Sequence, residues 1–215
     1  MKDETLQPMD PEKIYDRLAK KNQYNDIVDY KLRIKILQKA LSFIDSPYKS
    51  VLDLATGTGA MIDALLNKKN LSIIGIDISP EMLSIAKKRL GKLRNITLKV
   101  QDFINVTFPS NKFDLITISY STRFIPKDKE DIFAQNIKKW LKKDGVFLAI
   151  FMDSPQEKIV RLLYKKTGYP KGYNHTMNFI PTFIMKMKPH LFHEKTISLS
   201  RQLLFWNSKA VYFKK

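Results

Sequence analysis

Residues 51–60 read VLDLATGTGA, an apolar run interrupted by one acid and followed directly by a loop with two glycines. A continuous apolar strand that flows into a glycine-rich turn marks the carboxyl end of a strand in a parallel sheet, where ligands approach the backbone. Such turns usually cradle phosphate on backbone N–H groups. Asp53 argues against phosphate here, because a carboxylate beside the turn repels an anion in a partly dry site. The dinucleotide spacing G-x-G-x-x-G fails as well, since the residue three beyond Gly59 is Ile62. The stretch calls for a ligand that carries positive charge.

Outward from this strand the chain alternates. Strands are expected at 50–54, 72–77, 96–100, 113–119 and 145–151, with helices at 60–68, 80–90 and 128–141. Ser79 suits the cap of the 80–90 helix, Pro80 its first turn and Gly91 its end. Upstream, apolar residues at helical spacing run through IYDRLAKK and through residues 25–44, up to the break at Ser46-Pro47. Pro8 and Pro11 punctuate a loose leader. Downstream, Ser154 and Glu157 have capping-box spacing and open a helix through KIVRLLYKK. The aromatic stretch that follows, with Tyr169, Tyr173, Phe179 and Phe183, shows no clear period. TISLSRQLLF and KAVYFKK then read as two antiparallel strands with a tight connection around WNS. The expected fold is α/β, a Rossmann-like doubly wound, mostly parallel sheet with an antiparallel C-terminal strand and helices on both faces. A single domain is expected, divided into cap helices (1–46), a cofactor-binding core (47–152), a substrate-covering segment (153–195) and C-terminal strands (196–215).

Composition narrows the chemistry. The chain has 215 residues, 44% of them hydrophobic, which suits one sizeable core. With no cysteine, disulfides, thiolate catalysis and Cys-ligated metal sites are excluded. His175, His190 and His193 are too sparse to argue a metal site. No apolar run reaches 18 residues, and MKDETLQPMDPEK lacks the pattern of a secretory signal, so the expected location is cytoplasmic, with peripheral membrane contact left open. The net charge is +17, and residues 151–215 hold 12 Lys and Arg against 3 Asp and Glu. That excess suits an anionic partner such as nucleic acid, but a basic tail is more often a solvated lysine-rich face. The oligomeric state is not readable.

S-adenosylmethionine carries both an ammonium and a sulfonium, which answers the demand made by Asp53. The later motifs fit it in order. Asp77 ends the second strand in IIGIDIS, about 20 residues past the glycines, where a carboxylate can accept from both ribose hydroxyls, with Ile78 against adenine. Asp102 in VQDF is placed to accept from the adenine amine, with Phe103 beside it. Ser119 and Tyr120 in TISYSTRF lie at the carboxyl edge near the reacting methyl.

The order DLATGTG, GIDISPEML, QDF and FDLITIS resembles the class I S-adenosylmethionine-dependent methyltransferases, and most of all the ubiquinone/menaquinone C-methyltransferases. The resemblance covers about residues 14–155 and includes TISYSTRFI against the family's S-F-G-x-R-N-V. It implies that Asp53, Gly57, Gly59, Asp77 and Asp102 bind the cofactor. Ala55 stands where the wider superfamily has a first glycine, the usual P-G-G is reduced to Lys143-Asp144-Gly145, and Ile150 or Phe151 replaces a glutamate. Tyr24 is a candidate to close over the methionine end, Arg123 matches a family arginine, and Tyr120, His175 and Asp153 are candidate bases. The leading expectation is methyl transfer to a small hydrophobic or aromatic, quinone-like acceptor. The competing readings are an RNA or protein methyltransferase using the basic C-terminal surface, and an S-adenosylmethionine-binding protein without chemistry.

Overall fold

In the computed structural model, residues 11–20, 30–91, 93–153, 179–199 and 207–215 are described. Two helices come first, α1 (Pro11–Lys20) and α2 (Tyr30–Leu41). The alternating part follows as β1 (Ser50–Leu54), α3 (Ala60–Leu65), β2 (Ser72–Asp77), α4 (Pro80–Leu90), β3 (Ile96–Val100) and β4 (Phe113–Ser119). After it come α5 (Glu130–Trp140), β5 (Leu141–Asp153), α6 (Phe179–Met187), β6 (Phe192–Ser198) and β7 (Asn207–Lys214). The seven strands form one sheet in the order β3-β2-β1-β4-β5-β7-β6. Strands β1 to β5 pair in parallel, and β7 runs antiparallel to both β5 and β6, so β7 alone is reversed. The strand order turns between β1 and β4, which is where ligands bind in open sheets of this kind.

Alternation along each strand sends side chains to opposite faces. On one face Val51, Ile73, Leu115, Leu148 and Ile150 meet Leu37 and Leu41 of α2, Met61, Ile62 and Leu65 of α3, and Ala86 and Leu90 of α4. On the other, Leu52, Leu54, Ile116, Ile118 and Phe147 meet Phe133, Ile137 and Trp140 of α5 and Phe183 and Met187 of α6. Both faces being covered explains why the central strands read as unbroken apolar runs. The α4 boundaries are those expected: Ser79 Oγ accepts from the Met82 N–H at 3.1 Å, and Gly91 ends the helix with φ of 66°.

Two expectations need correction. The strand expected at 145–151 starts at Leu141, because Leu141 pairs with Phe113 before a register shift that Asp144 (φ 63°) and Gly145 absorb. A Cβ on Gly145 would lie 2.9 Å from the Lys142 carbonyl, so this bend needs glycine. The strand expected from Thr196 begins earlier, at Phe192, and pairs with β7 through Ser198; residues 200–206 lie outside the described residues. Phe183, in the aromatic stretch without a clear period, packs edge-on in the core against Phe151 and Phe213, with centroids 5.2 and 6.1 Å away. The helix expected from Ser154 onward lies outside the described residues.

At the amino end of the sheet, Asp114 joins three segments. It accepts from the Lys49 N–H, from the Ser50 N–H and hydroxyl at 2.8 and 2.6 Å, and from Lys142 Nζ at 2.9 Å. Partial burial pushes its pKa up, but the Ser50, Lys142 and backbone donors outweigh burial and hold it well below the usual 3.8. A lowered carboxylate contributes stability above its unfolded value, and that contribution is lost as pH falls. Asp114→Asn is expected to cost about 1–2 kcal/mol in denaturant unfolding at pH 7, with the difference from wild type shrinking at pH 3.

Candidate functional site

The carboxyl ends of β1, β2 and β4 meet around the loop 55–59. Thr56 N–H donates to the Ile76 carbonyl at 2.9 Å, which ties the loop to β2, and its hydroxyl donates to the Asp53 carbonyl at 3.0 Å. Ala55, Gly57 and Gly59 are all left-handed, with φ of 53°, 56° and 89°. The alanine occupies a conformation that suits glycine, which is why glycine is usual there in the sequences this loop resembles. At Gly59 a Cβ would stand 3.1 Å from Leu90 and 3.2 Å from Ala86, so the loop lies directly on α4.

Asp77 pins this arrangement. Its Oδ2 accepts from the Gly57 N–H at 2.7 Å and its Oδ1 from the Ser79 N–H at 2.9 Å, so one carboxylate joins the glycine loop to the start of α4. A glycine N–H that would otherwise face a phosphate is thus bonded within the protein. Burial raises the Asp77 pKa, with the amides of Ser79, Gly57 and Ile78 opposing it and Asp16 adding to it.

Asp53 is fully buried in β1. Thr117 of β4, its neighbour in register, donates its hydroxyl to Asp53 Oδ1 at 2.7 Å. Asp53 Oδ2 is also buried and has no hydrogen-bond partner among the described residues. Burial pushes its pKa from 3.8 to about 7, against the Thr117 and Thr56 hydrogen bonds and with a smaller push from Asp77. A buried carboxylate with one oxygen unsatisfied fits a ligand that brings a cationic donor.

Around this centre the other expected residues take different positions. Ile78 and Ser119 are half-buried at the ends of β2 and β4. Asp102 accepts from the Ile104 N–H at 2.9 Å and from the Asn105 side chain at 2.6 Å, so here it caps its own turn. Phe103 packs edge-on against Phe133 at 6.0 Å. Tyr120 follows β4 with its hydroxyl against Ser208. Arg123 donates to the Tyr15 hydroxyl at 3.3 Å and lies over Phe124. Tyr24, His175, Tyr169 and Tyr173 lie outside the described residues, as do the side chains of Asp153 and Phe179. His190 pairs with Asp131 at 2.7 Å and His193 with Thr196 at 3.0 Å.

Sequence reasoning missed three participants. Thr117 is one polar residue among apolar neighbours in FDLITIS, and that break is a readable signal. Gly75 in β2 is a second, since a Cβ there would stand 2.7 Å from Thr56 Oγ1 and push the loop away. Asp16 is the third: its carboxylate accepts from the Ser79 hydroxyl and docks α1 beside Asp77.

The methyltransferase domain family matches residues 51–145, which hold β1, the glycine loop, Asp77 and Asp102. A demethylmenaquinone methyltransferase of Thermotoga maritima is 27% identical over 93% of this chain and 93% of its own length. The chain is an S-adenosylmethionine-dependent methyltransferase. The ubiquinone/menaquinone biosynthesis C-methyltransferase of Wigglesworthia glossinidia brevipalpis is 29% identical over 65% of this methyltransferase, which spans 58% of that relative's length. Solved structures share the fold. The N-methyltransferase NodS of Bradyrhizobium japonicum, in complex with S-adenosylhomocysteine, superposes with a TM-score of 0.68 over 95% of this chain and 97% of its own, at 15% identity. A chain from the Haloferax volcanii complex of the Trm112 activator with a methyltransferase gives 0.73 over 95% and 97%, also at 15% identity.

The methyltransferase carries a stability cost at Asp53. Its carboxyl ionises near pH 3.8 when unfolded and near 7 when folded, so folding takes up a proton between those values. Stability from this group therefore falls as pH rises from about 4 to about 7 and is level above. Asparagine imitates the protonated acid. Asp53→Asn is expected to stabilise the cofactor-free protein by roughly 2–4 kcal/mol at pH 8 and to leave it near wild type at pH 4, read by denaturant unfolding at both values.

Proposed function

We propose that this methyltransferase acts on a small hydrophobic or aromatic acceptor of quinone-like type. The observation that carries this reading is the match along 93% of both chains to a protein named as a demethylmenaquinone methyltransferase. Several described lysines of the basic C-terminal part are engaged within the chain, which favours this reading over an RNA or protein acceptor. Lys214 meets Glu194 at 2.7 Å, Lys195 meets Asp45 at 3.6 Å, and Lys215 donates to Asn111 and the Leu141 carbonyl, both at 2.7 Å. Among the described residues, no helix is long and apolar enough to cross a membrane. A cytoplasmic enzyme that meets its acceptor at or near a membrane surface is consistent with that.

S-adenosylmethionine supplies an electrophilic methyl group on a sulfonium. In this reading Asp53 Oδ2 accepts from the cofactor ammonium, and Thr117 holds the carboxylate in line. Asp77 accepts from the ribose hydroxyls while keeping the Gly57 and Ser79 amides, since each carboxylate oxygen has two lone pairs. Ile78 and Phe103 flank the adenine, Asp102 accepts from its amine, and Ala55, Gly57, Gly59 and Ser119 shape the cleft. Residues 1–46 cover it, with Tyr24 over the methionine end. Residues 47–152 hold the cofactor; of the segment 153–195 expected to cover the acceptor, the described part forms α6 and the start of β6, which pack on and extend the sheet, and the strands up to residue 215 complete it. Alignment supplies most of the rate in such a displacement, and Tyr120 or His175 removes a proton where the acceptor requires it.

Two experiments test the reading. Asp53→Asn should weaken S-adenosylhomocysteine binding at least tenfold by calorimetry, and unchanged affinity would remove Asp53 from the site. Incubated with methyl-labelled S-adenosylmethionine and fractionated lysate, the protein should place label in the lipid-extractable fraction. Label in RNA or protein instead would overturn the acceptor reading.

A further inference from the structure

Tyr120 follows β4 in a backbone conformation that tyrosine seldom takes, with φ of 61°. In the S-F-G-x-R-N-V motif that this stretch resembles, phenylalanine stands at the position, so the hydroxyl departs from that motif. Three contacts hold the residue in place. Its N–H donates to the Ile150 carbonyl at 2.8 Å, its hydroxyl lies 3.1 Å from Ser208 Oγ, and the Arg33 guanidinium stands 6.0 Å from its ring centroid. Ser208 is buried and pairs with Met152, so β7 begins at the same edge where β4 and β5 end. Because β5 lies between β4 and β7, the tyrosine reaches across the end of β5, over roughly 10 Å of sheet, to meet the serine.

A strained residue held by several ties at the ligand-binding edge of a sheet is the form that pre-organisation takes. We propose that the Tyr120–Ser208 hydroxyl pair positions an oxygen of the methyl acceptor and so selects acceptors with a phenol or enol hydroxyl beside the reacting atom. Ser208 is the positioning residue. Its bond sets the rotation of the Tyr120 O–H, and hence whether and in what direction Tyr120 Oη donates to a ligand oxygen. Arg33, on α2, sits over the same ring and favours an acceptor oxygen with developing negative charge. The proposal rests on the quinone-like reading of the acceptor and adds the group by which that acceptor is recognised.

The test reads binding rather than turnover. Protein saturated with S-adenosylhomocysteine is titrated calorimetrically with methylhydroquinone and with its dimethyl ether. Wild type should prefer the hydroquinone by about tenfold, the size expected for one hydrogen bond to a well-placed hydroxyl. Tyr120→Phe and Ser208→Ala should abolish the preference, and Ser208→Thr, which restores a hydroxyl, should keep it. S-adenosylhomocysteine affinity should be the same in all four proteins, which shows that the variants are folded. Equal wild-type affinity for the two probes, or a preference that survives in Tyr120→Phe or Ser208→Ala, overturns the proposal. Failure of the broader acceptor reading shows separately, as label transferred to RNA or protein by the wild-type enzyme.

Discussion

Asp53 lies at the centre of the sheet, one oxygen bonded to Thr117 of the neighbouring strand and the other buried without a partner. Leaving a carboxylate in that state costs folding free energy, and burial lifts its pKa to about 7. The surrounding structure is arranged to sustain it. β1 is covered on both faces and paired on both sides, which excludes the water that would otherwise satisfy the second oxygen. In the proposed reading a ligand cation relieves that cost on binding, so the instability of the cofactor-free protein is returned as affinity.

Asp77 completes the constraint from the next strand. Its two oxygens hold the Gly57 and Ser79 amides, and Ser79 in turn caps α4 and donates to Asp16 of α1. Loop, helix start and N-terminal helix are therefore tied to a single carboxylate. The left-handed residues at 55, 57 and 59 bend the loop into reach of Asp77, and Gly75 leaves room for it beneath. Tyr15, bonded to Arg123 past β4, carries α1 across toward the carboxyl end of β4.

The central strands and α4 were legible in the sequence because each is fixed by local chemistry: unbroken apolar runs, a Ser-Pro start and a glycine end. Asp53, Gly57 and Asp77 were legible as a group because their spacing sets them at two adjacent strand ends. The boundaries of β5 and β6 were not, since a bulge at Asp144-Gly145 and pairing across to β7 are long-range choices that no local window contains. Thr117 showed only as a polar break in an apolar strand, without its partner, and Asp16 and Ser208 were hidden, for the same reason. The Tyr120–Ser208 pair joins residues 88 positions apart, and Asp53–Thr117 joins residues 64 apart. Asp102 also accepts from the Ile104 amide within its own turn, a local bond of the kind that short-range sequence does contain.

The most direct measurement of this account is cofactor affinity against pH. If Asp53 must ionise to receive the cofactor ammonium, S-adenosylhomocysteine binding by wild type should tighten as pH rises from 5.5, then level off above about 7, where Asp53 is already charged. Asp53→Asn should bind weakly with no such rise. A wild-type profile that is flat across this range, or a rise that persists in Asp53→Asn, would contradict the claim that this buried carboxylate is the cation's partner.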